Sequence, residues 1–160
     1  MIIFLNGSVG AGKSTVAKLL AKAIPNTTIV EIDALREMIE WMPIDQAVPI
    51  NLENAVAIIR NFTKHGISCI VPYPLSQKNY EFVTSGLSDL GVPMFFFTLA
   101  PSLEKALSDR GERKLDEQER ERIKYHYSIG IHAPSFGTIV DNSDQTPEET
   151  AKVILNDIAI

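Results

Sequence analysis

The chain has 160 residues, 45% of them hydrophobic and 22% charged, which sets the expectation of one globular domain over residues 1–160 with a sizeable core. A formal net charge of −5 argues against a nucleic-acid partner, which a basic excess would favour, and a single cysteine excludes an internal disulfide and a four-cysteine zinc site. Residues 1–6 lack the basic start and long apolar run of a secretion signal, and no stretch approaches the roughly 20 apolar residues of a membrane helix, so the expectation is a cytoplasmic protein with no membrane contact.

In chain order, Ile2–Asn6 reads as a first strand, followed by glycines and then a helix. Val16, Leu19, Leu20 and Ala23 share one face of that helix, and Pro25-Asn26 stops it. Thr28–Ile32 is the expected second strand. Leu52, Ala55, Val56 and Ile59 mark a second helix ending near His65-Gly66, where glycine suits a left-handed cap. Ser68–Val71 is the third strand, ending at Pro72-Tyr73-Pro74. Ser76 is the expected N-cap of a helix carrying Tyr80, Val83, Leu87 and Leu90.

Met94–Leu99 is a fourth, strongly apolar strand, and Pro101 is expected to open a helix through Leu103, Ala106 and Leu107. Residues 110–124, dense in both signs of charge, are too polar for core. Gly137–Val140 is the fifth strand, and Thr146-Pro147-Glu148-Glu149 is a capping box with proline in the first helical position. Strands alternating with helices predict an α/β fold, a five-stranded parallel sheet with helices on both faces.

Gly7-Ser8-Val9-Gly10-Ala11-Gly12-Lys13-Ser14 fits G-x-x-x-x-G-K-[ST], between a strand and a helix as that motif requires. Glycines at positions 7, 10 and 12 let the backbone N–H groups of Ser8, Ala11 and their neighbours converge on anionic oxygens, and the following helix adds its positive end. Lys13 is expected at the β- and γ-phosphates of a nucleotide, the Ser14 hydroxyl on Mg²⁺ and Thr15 at the α-phosphate. The third strand ends in prolines rather than acids, which leaves Ser14 as the one clear direct metal ligand. Phosphate oxygens and waters would complete the shell.

Asp33, at the expected end of the second strand, can take the proton of an attacking hydroxyl and orient it toward a γ-phosphoryl group. As an alternative, Asp33 is a helix N-cap. Arg36, one turn on, can pair with an anionic acceptor or hold Asp33. Glu31 is expected on the opposite face of its strand.

With these motifs the chain resembles the small P-loop kinases, the group of P-loop NTPase fold that contains shikimate kinase, gluconate kinase, chloramphenicol phosphotransferase and polynucleotide kinase. The resemblance runs through nearly the whole chain in element order, although only the phosphate loop is highly specific. It implies ATP and Mg²⁺ as cofactors, Asp33 as the base of a D-x-x-R acceptor site, and a mobile lid at about residues 110–127. In that lid Arg110 would stack on adenine and Arg113 would approach the transferring phosphoryl group, with Arg120 and Arg122 in reserve. The loop at Asn142 and Ser143 would hold the base, largely through its backbone.

The switch-GTPase signatures D-x-x-G and N-K-x-D have no match at Val71-Pro72-Tyr73-Pro74 or Asp141-Asn142-Ser143-Asp144. The reading is therefore ATP-dependent transfer to a hydroxyl of a small-molecule acceptor. A 5′-hydroxyl nucleic-acid kinase and a non-enzymatic nucleotide-sensing module are the alternatives. Residues 34–51 and 73–80 are expected to face each other across the acceptor cleft, and their Met38, Trp41, Met42, Tyr73 and Tyr80 either form an apolar, aromatic pocket there or pack as core under a cap helix. His65, His126 and His132 have no metal-ligand spacing. His126 carries no assigned role, and Cys69 is expected to be buried and inert.

Overall fold

The computed structural model describes residues 1–108 and 114–158. Strand β1 (Ile2–Asn6) is apolar up to its last residue because both of its faces are covered. Ile2 and Phe4 pack into one hydrophobic cluster and Ile3 and Leu5 into another. The other strands are β2 (Thr27–Ile29), β3 (Ser68–Pro72), β4 (Met94–Leu99) and β5 (Thr138–Val140). All pair in parallel, in the order β2-β3-β1-β4-β5.

The helices among the described residues are α1 (Lys13–Ala23), α2 (Ile32–Glu37), α3 (Ile44–Lys64), α4 (Gln77–Leu87), α5 (Leu103–Leu107), α6 (Glu117–Ser128) and α7 (Pro147–Asp157). Helices α1 and α7 cover the Ile3/Leu5 face through Val16, Ala17, Leu20 and Ile154. Helices α3 and α4 cover the Ile2/Phe4 face through Leu52, Ala55, Ile59, Val83 and Leu87. The parallel α/β sheet expected from sequence is the one observed.

Several boundaries differ. The second strand ends at Ile29 instead of reaching Ile32, because β2 is an edge strand with β3 as its one neighbour. After the Val30 N–H meets the Ile70 carbonyl at 2.9 Å, the chain turns into α2. Helix α3 starts at Ile44, well before the apolar stripe from Leu52, and carries Pro49 inside it. Helix α5 opens at Leu103 with Ser102 as its cap, so Pro101 lies outside it. From Glu117 on, the charged stretch is part of a helix, α6, opened by an Asp116–Glu119 capping box and anchored by fully buried Ile123. Ser76 and Thr146 cap α4 and α7 as expected.

The chain passes from one side of β1 to the other between β3 and β4, which makes the C-terminal end of β1 the switch point where a ligand crevice forms. Asn6 sits there, fully buried. Its Nδ2 donates to Thr98 Oγ1 (3.0 Å) and to the Ile131 carbonyl (3.1 Å), and its Oδ1 accepts the Leu75 N–H (2.8 Å). Replacing Asn6 by leucine, similar in size but without polar groups, strands all three partners. We expect a loss of about 3 kcal/mol or more in urea unfolding. A loss below about 1 kcal/mol would show that these loops do not depend on the amide.

Candidate active site

The glycine loop runs from the end of β1 to the start of α1. Gly7 has φ 136°, and a Cβ there would lie 2.5 Å from the Leu99 carbonyl oxygen, so only glycine passes under β4. Gly12 (φ 95°) is the N-cap of α1 and offers no capping side chain, and the first turn holds no acid. The helix N-terminus is left open to an anion. The Asn142 side chain, buried, donates to the Ala11 carbonyl (3.0 Å) and braces the loop from behind. Ser143 is engaged within its own loop: its hydroxyl accepts the Ser102 N–H (2.9 Å) and bonds Asp141.

Two cavities open on either side of Lys13. One, of about 360 Å³, is lined by Gly10, Gly12, Lys13, Ser14 and Thr15 from the loop and α1, with Ser108 and Pro147 opposite. Gly12, Ser108 and Pro147 also line a further cavity that reaches Asn142 and Ser143, so the crevice continues from the phosphate loop to the β5–α7 connection. The other, of about 370 Å³, brings Lys13 together with Asp33, Arg36, Asn51, Tyr73, Arg122 and His126.

Lys13 donates to the carbonyls of Gly7 (2.9 Å) and Ser8 (2.8 Å). Burial pulls its ammonium pKa down to about 8, against the opposing pull of Asp33 and Glu31. Glu31 does not occupy a strand face, because β2 ends at Ile29. It is the N-cap residue of α2, its carboxyl pKa is raised by burial and then by Asp33, and its field reaches Lys13. Asp33 is correspondingly not the N-cap but a first-turn residue of α2, exposed at the cavity wall. Arg36 lies one turn on, with a buried Nε that has no hydrogen-bond partner.

His126 comes from α6. Its Nδ1 lies 3.3 Å from the Ser8 hydroxyl, and burial, then Lys13 and Arg122, lower its pKa to about 4. Arg122, Tyr125, His126 and Ile129 all line the cavity, and their spacing of three, four and seven places them on one helix face. That spacing was visible in the sequence, hidden among charges of both signs. Arg120, the other reserve arginine, donates to the Leu107 carbonyl at 2.6 Å. Arg110 and Arg113 lie outside the described residues.

The two segments expected to face each other do so across this cavity, with Arg36, Ile44, Val48 and Asn51 on one side and Tyr73, Pro74, Ser76 and Asn79 on the other, but of the expected aromatic and sulfur side chains only Tyr73 lines it. Met38 and Trp41 are 78% and 79% exposed and line neither cavity. Tyr80 stacks on Phe136 (3.9 Å between centroids) in the core. Tyr73 does line the site, and burial followed by Asp33 raises its phenol pKa. Cys69 is fully buried with its thiol pushed up to about 11 by that burial, as an inert cysteine should be. No helix among the described residues is long and apolar enough to cross a membrane.

No protein-family model matches the chain, and no curated protein matches it in sequence. Solved structures do. A sugar kinase from Janibacter sp. HTCC2649 superposes with a TM-score of 0.75 at 17% identity, covering 99% of this chain and 94% of that one. The Mycobacterium tuberculosis APS kinase in complex with AMPPNP and APS gives 0.73 at 20% identity, covering 99% and 97%. A gluconokinase from Sinorhizobium meliloti 1021 gives 0.69 at 19%, covering 98% and 90%. All three are small P-loop kinases. The chain thus has the α/β P-loop fold of small kinases along its full described length.

A histidine held neutral by burial makes folding sensitive to acid. The pKa of His126 is about 4 in the fold, below the ordinary value of about 6.5, so protonation favours the unfolded chain. Its contribution is present above about pH 6.5 and falls away as the pH drops toward 4. The wild type should lose more of its thermal midpoint across that window than His126→Gln does. Parallel curves for the two proteins would refute it.

Proposed function

We propose that the protein is a phosphotransferase that moves the γ-phosphoryl group of ATP to a hydroxyl of a small-molecule acceptor. The observation that carries this reading is that Lys13 lines both main cavities, the one at the glycine loop and the one at Asp33. A sensor needs the first cavity only. The small-kinase likeness of fold supports the same reading.

The residues at the loop fit a polyphosphate. Gly7 and Gly12 hold backbone shapes that a side chain would spoil, and the open start of α1 faces the same cavity as Ser14 and Thr15. On this reading the N–H groups of residues 7–12 and Lys13 hold the phosphates, with Thr15 at the α-phosphate. Asn142 and Ser143 border the base. The Ser14 hydroxyl would hold a Mg²⁺ ion, which supplies charge neutralisation to the phosphates when bound. No group of three or more acidic, histidine or cysteine side chains among the described residues is arranged to hold a metal, consistent with an ion carried chiefly by the nucleotide.

In the transfer step the acceptor oxygen bonds to the γ-phosphorus as the bond to ADP breaks, and the acceptor's proton passes to Asp33. Arg36 and Arg122 face the same cavity and offset the charge of an anionic acceptor or of the phosphoryl group in flight. Neutral His126 adds no fourth cation beside Lys13.

Asp33→Asn should lower single-turnover transfer by about 10²–10⁴. Nucleotide affinity should stay level or tighten slightly, since a negative charge facing the polyphosphate is removed. The acceptor is found with labelled ATP and Mg²⁺ across alcohols, sugars, nucleosides, aminoglycosides and oligonucleotides. Near-normal transfer would remove Asp33 from the chemistry. Loss of ATP binding would make it a metal ligand instead.

Lys13 makes ATP binding depend on alkaline pH. Its pKa is about 8 without ligand and must rise when phosphates surround it, so binding takes up a proton above pH 8. The dissociation constant should grow about fivefold between pH 8 and 9. Lys13→Ala should bind ATP weakly and without that slope, and a wild-type affinity flat to pH 9 would contradict the assignment.

A further inference from the structure

Another cavity, of about 350 Å³, lies between the first half of α3 and the start of α4. Its walls are mainly apolar: Ile44, Val48, Pro49, Leu52 and Phe82, with Asp45 and Lys78 as its two charged groups. Ile44 and Phe82 remain 45% and 42% exposed although both face this hollow. Scattered exposed apolar residues need no explanation, but two large ones turned into one concavity mark a binding surface.

This cavity is not isolated. Ile44, Val48 and Asn79 line it and also line the cleft that holds Asp33, Arg36 and Lys13. Helix α3 divides its residues between the two. Ile44, Val48 and Asn51, spaced by four and then three, line the cleft, while Pro49 and Leu52 line the apolar hollow.

Asn51 supplies a second, independent sign of a ligand. It is 2% exposed, and its Oδ1 is buried without a hydrogen-bond partner among the described residues. Leaving a buried carbonyl oxygen unsatisfied is costly, and the cleft wall is where a ligand donor can reach it. A hydroxyl of the acceptor, other than the one that reacts, satisfies that oxygen.

We propose that the phosphoryl acceptor is amphipathic: its hydroxyl-bearing part lies in the cleft against Asn51 and Asp33, and an apolar substituent fills the hollow between α3 and α4. This rests on the phosphotransferase reading above and names the class of its substrate. The size agrees with it. A cavity of roughly 150 Å³ is enough for a benzene ring, so the hollow accommodates a substituted aryl group or a medium alkyl chain.

The test offers each acceptor head bare and with an apolar group: glycerol against 1-O-octylglycerol, and methyl against phenyl glucoside. Transfer from labelled ATP is read as kcat/KM. The substituted member should be favoured by about tenfold or more, mainly through KM. Phe82→Asp, at a half-exposed position where the fold tolerates a charge, should bring the substituted member down to the level of the bare one. Phe82→Ser checks the same point without the charge. Methyl-labelled protein titrated with phenyl and methyl glucoside gives a readout free of catalysis, in which Ile44, Val48 and Leu52 methyl signals should shift with the phenyl compound alone.

Equal use of both members, or a preference without those shifts, overturns the proposal. An absence of both transfer and shifts overturns it as well. Shifts confined to these methyls without transfer to any acceptor uphold the apolar subsite and count against the phosphotransferase reading.

Discussion

Everything at the site hangs on a polar residue at the end of an apolar strand. Asn6 is tolerable in the core only because three groups from three different segments take up its amide. Those segments are β4, the turn after β3 and the stretch after α6. One amide thus fixes the distances between the pieces that surround the cleft. Gly7 follows at once and passes under the Leu99 carbonyl with no room for a side chain. The loop therefore starts from a fixed point and in a fixed direction, which is what a rigid phosphate cradle requires.

The electrostatics follow from the same crowding. Lys13 is drawn out of water and held by two carbonyls, so its charge is kept at a cost that bound phosphate would relieve. Glu31 and Asp33 offset part of that cost from α2. Burial, and after it their mutual repulsion, raises the pKa of the Glu31 carboxyl. Across the cleft burial, and after it the same lysine, keeps His126 neutral. Charges at this site are set by one another as much as by their own chemistry, so a substitution at any of them will be felt at the rest.

What could be read from the sequence divides along the same line. The strands, their parallel sheet and the glycine loop are legible because each is a contiguous run whose spacing carries its meaning: alternate burial of Ile2 to Leu5, glycines at 7, 10 and 12, a capping box at Thr146. The acceptor side is not contiguous. It is gathered from the loop after β1 and from α2, α3, the turn after β3, and α6. The strand position expected for Glu31 is not realised because edge strand β2 stops at Ile29, three residues early, and that shift turned a strand face into a helix cap. Trp41 and Met38 were misread because aromatic and sulfur side chains near a cleft look like its lining, whereas here they point to solvent.

Helix α3 shows why such a site resists local reading. The stripe that signals it, from Leu52 to Ile59, serves the core, and a pattern of that kind identifies a helix without saying what its other residues do. The turns before the stripe contain a proline, two exposed isoleucines and a buried asparagine, a mixture that looks like a loop. It is helical although Pro49, its sixth residue, gives up the bond that its N–H would make to the Asp45 carbonyl. Extending the helix forward carries Ile44, Val48 and Asn51 out beyond the sheet and over the cleft. The core stripe fixes the helix in rotation, and the rotation then decides how those three residues face the cleft. On the phosphotransferase reading, choice of acceptor is written in the register between a core pattern and the irregular turns that precede it.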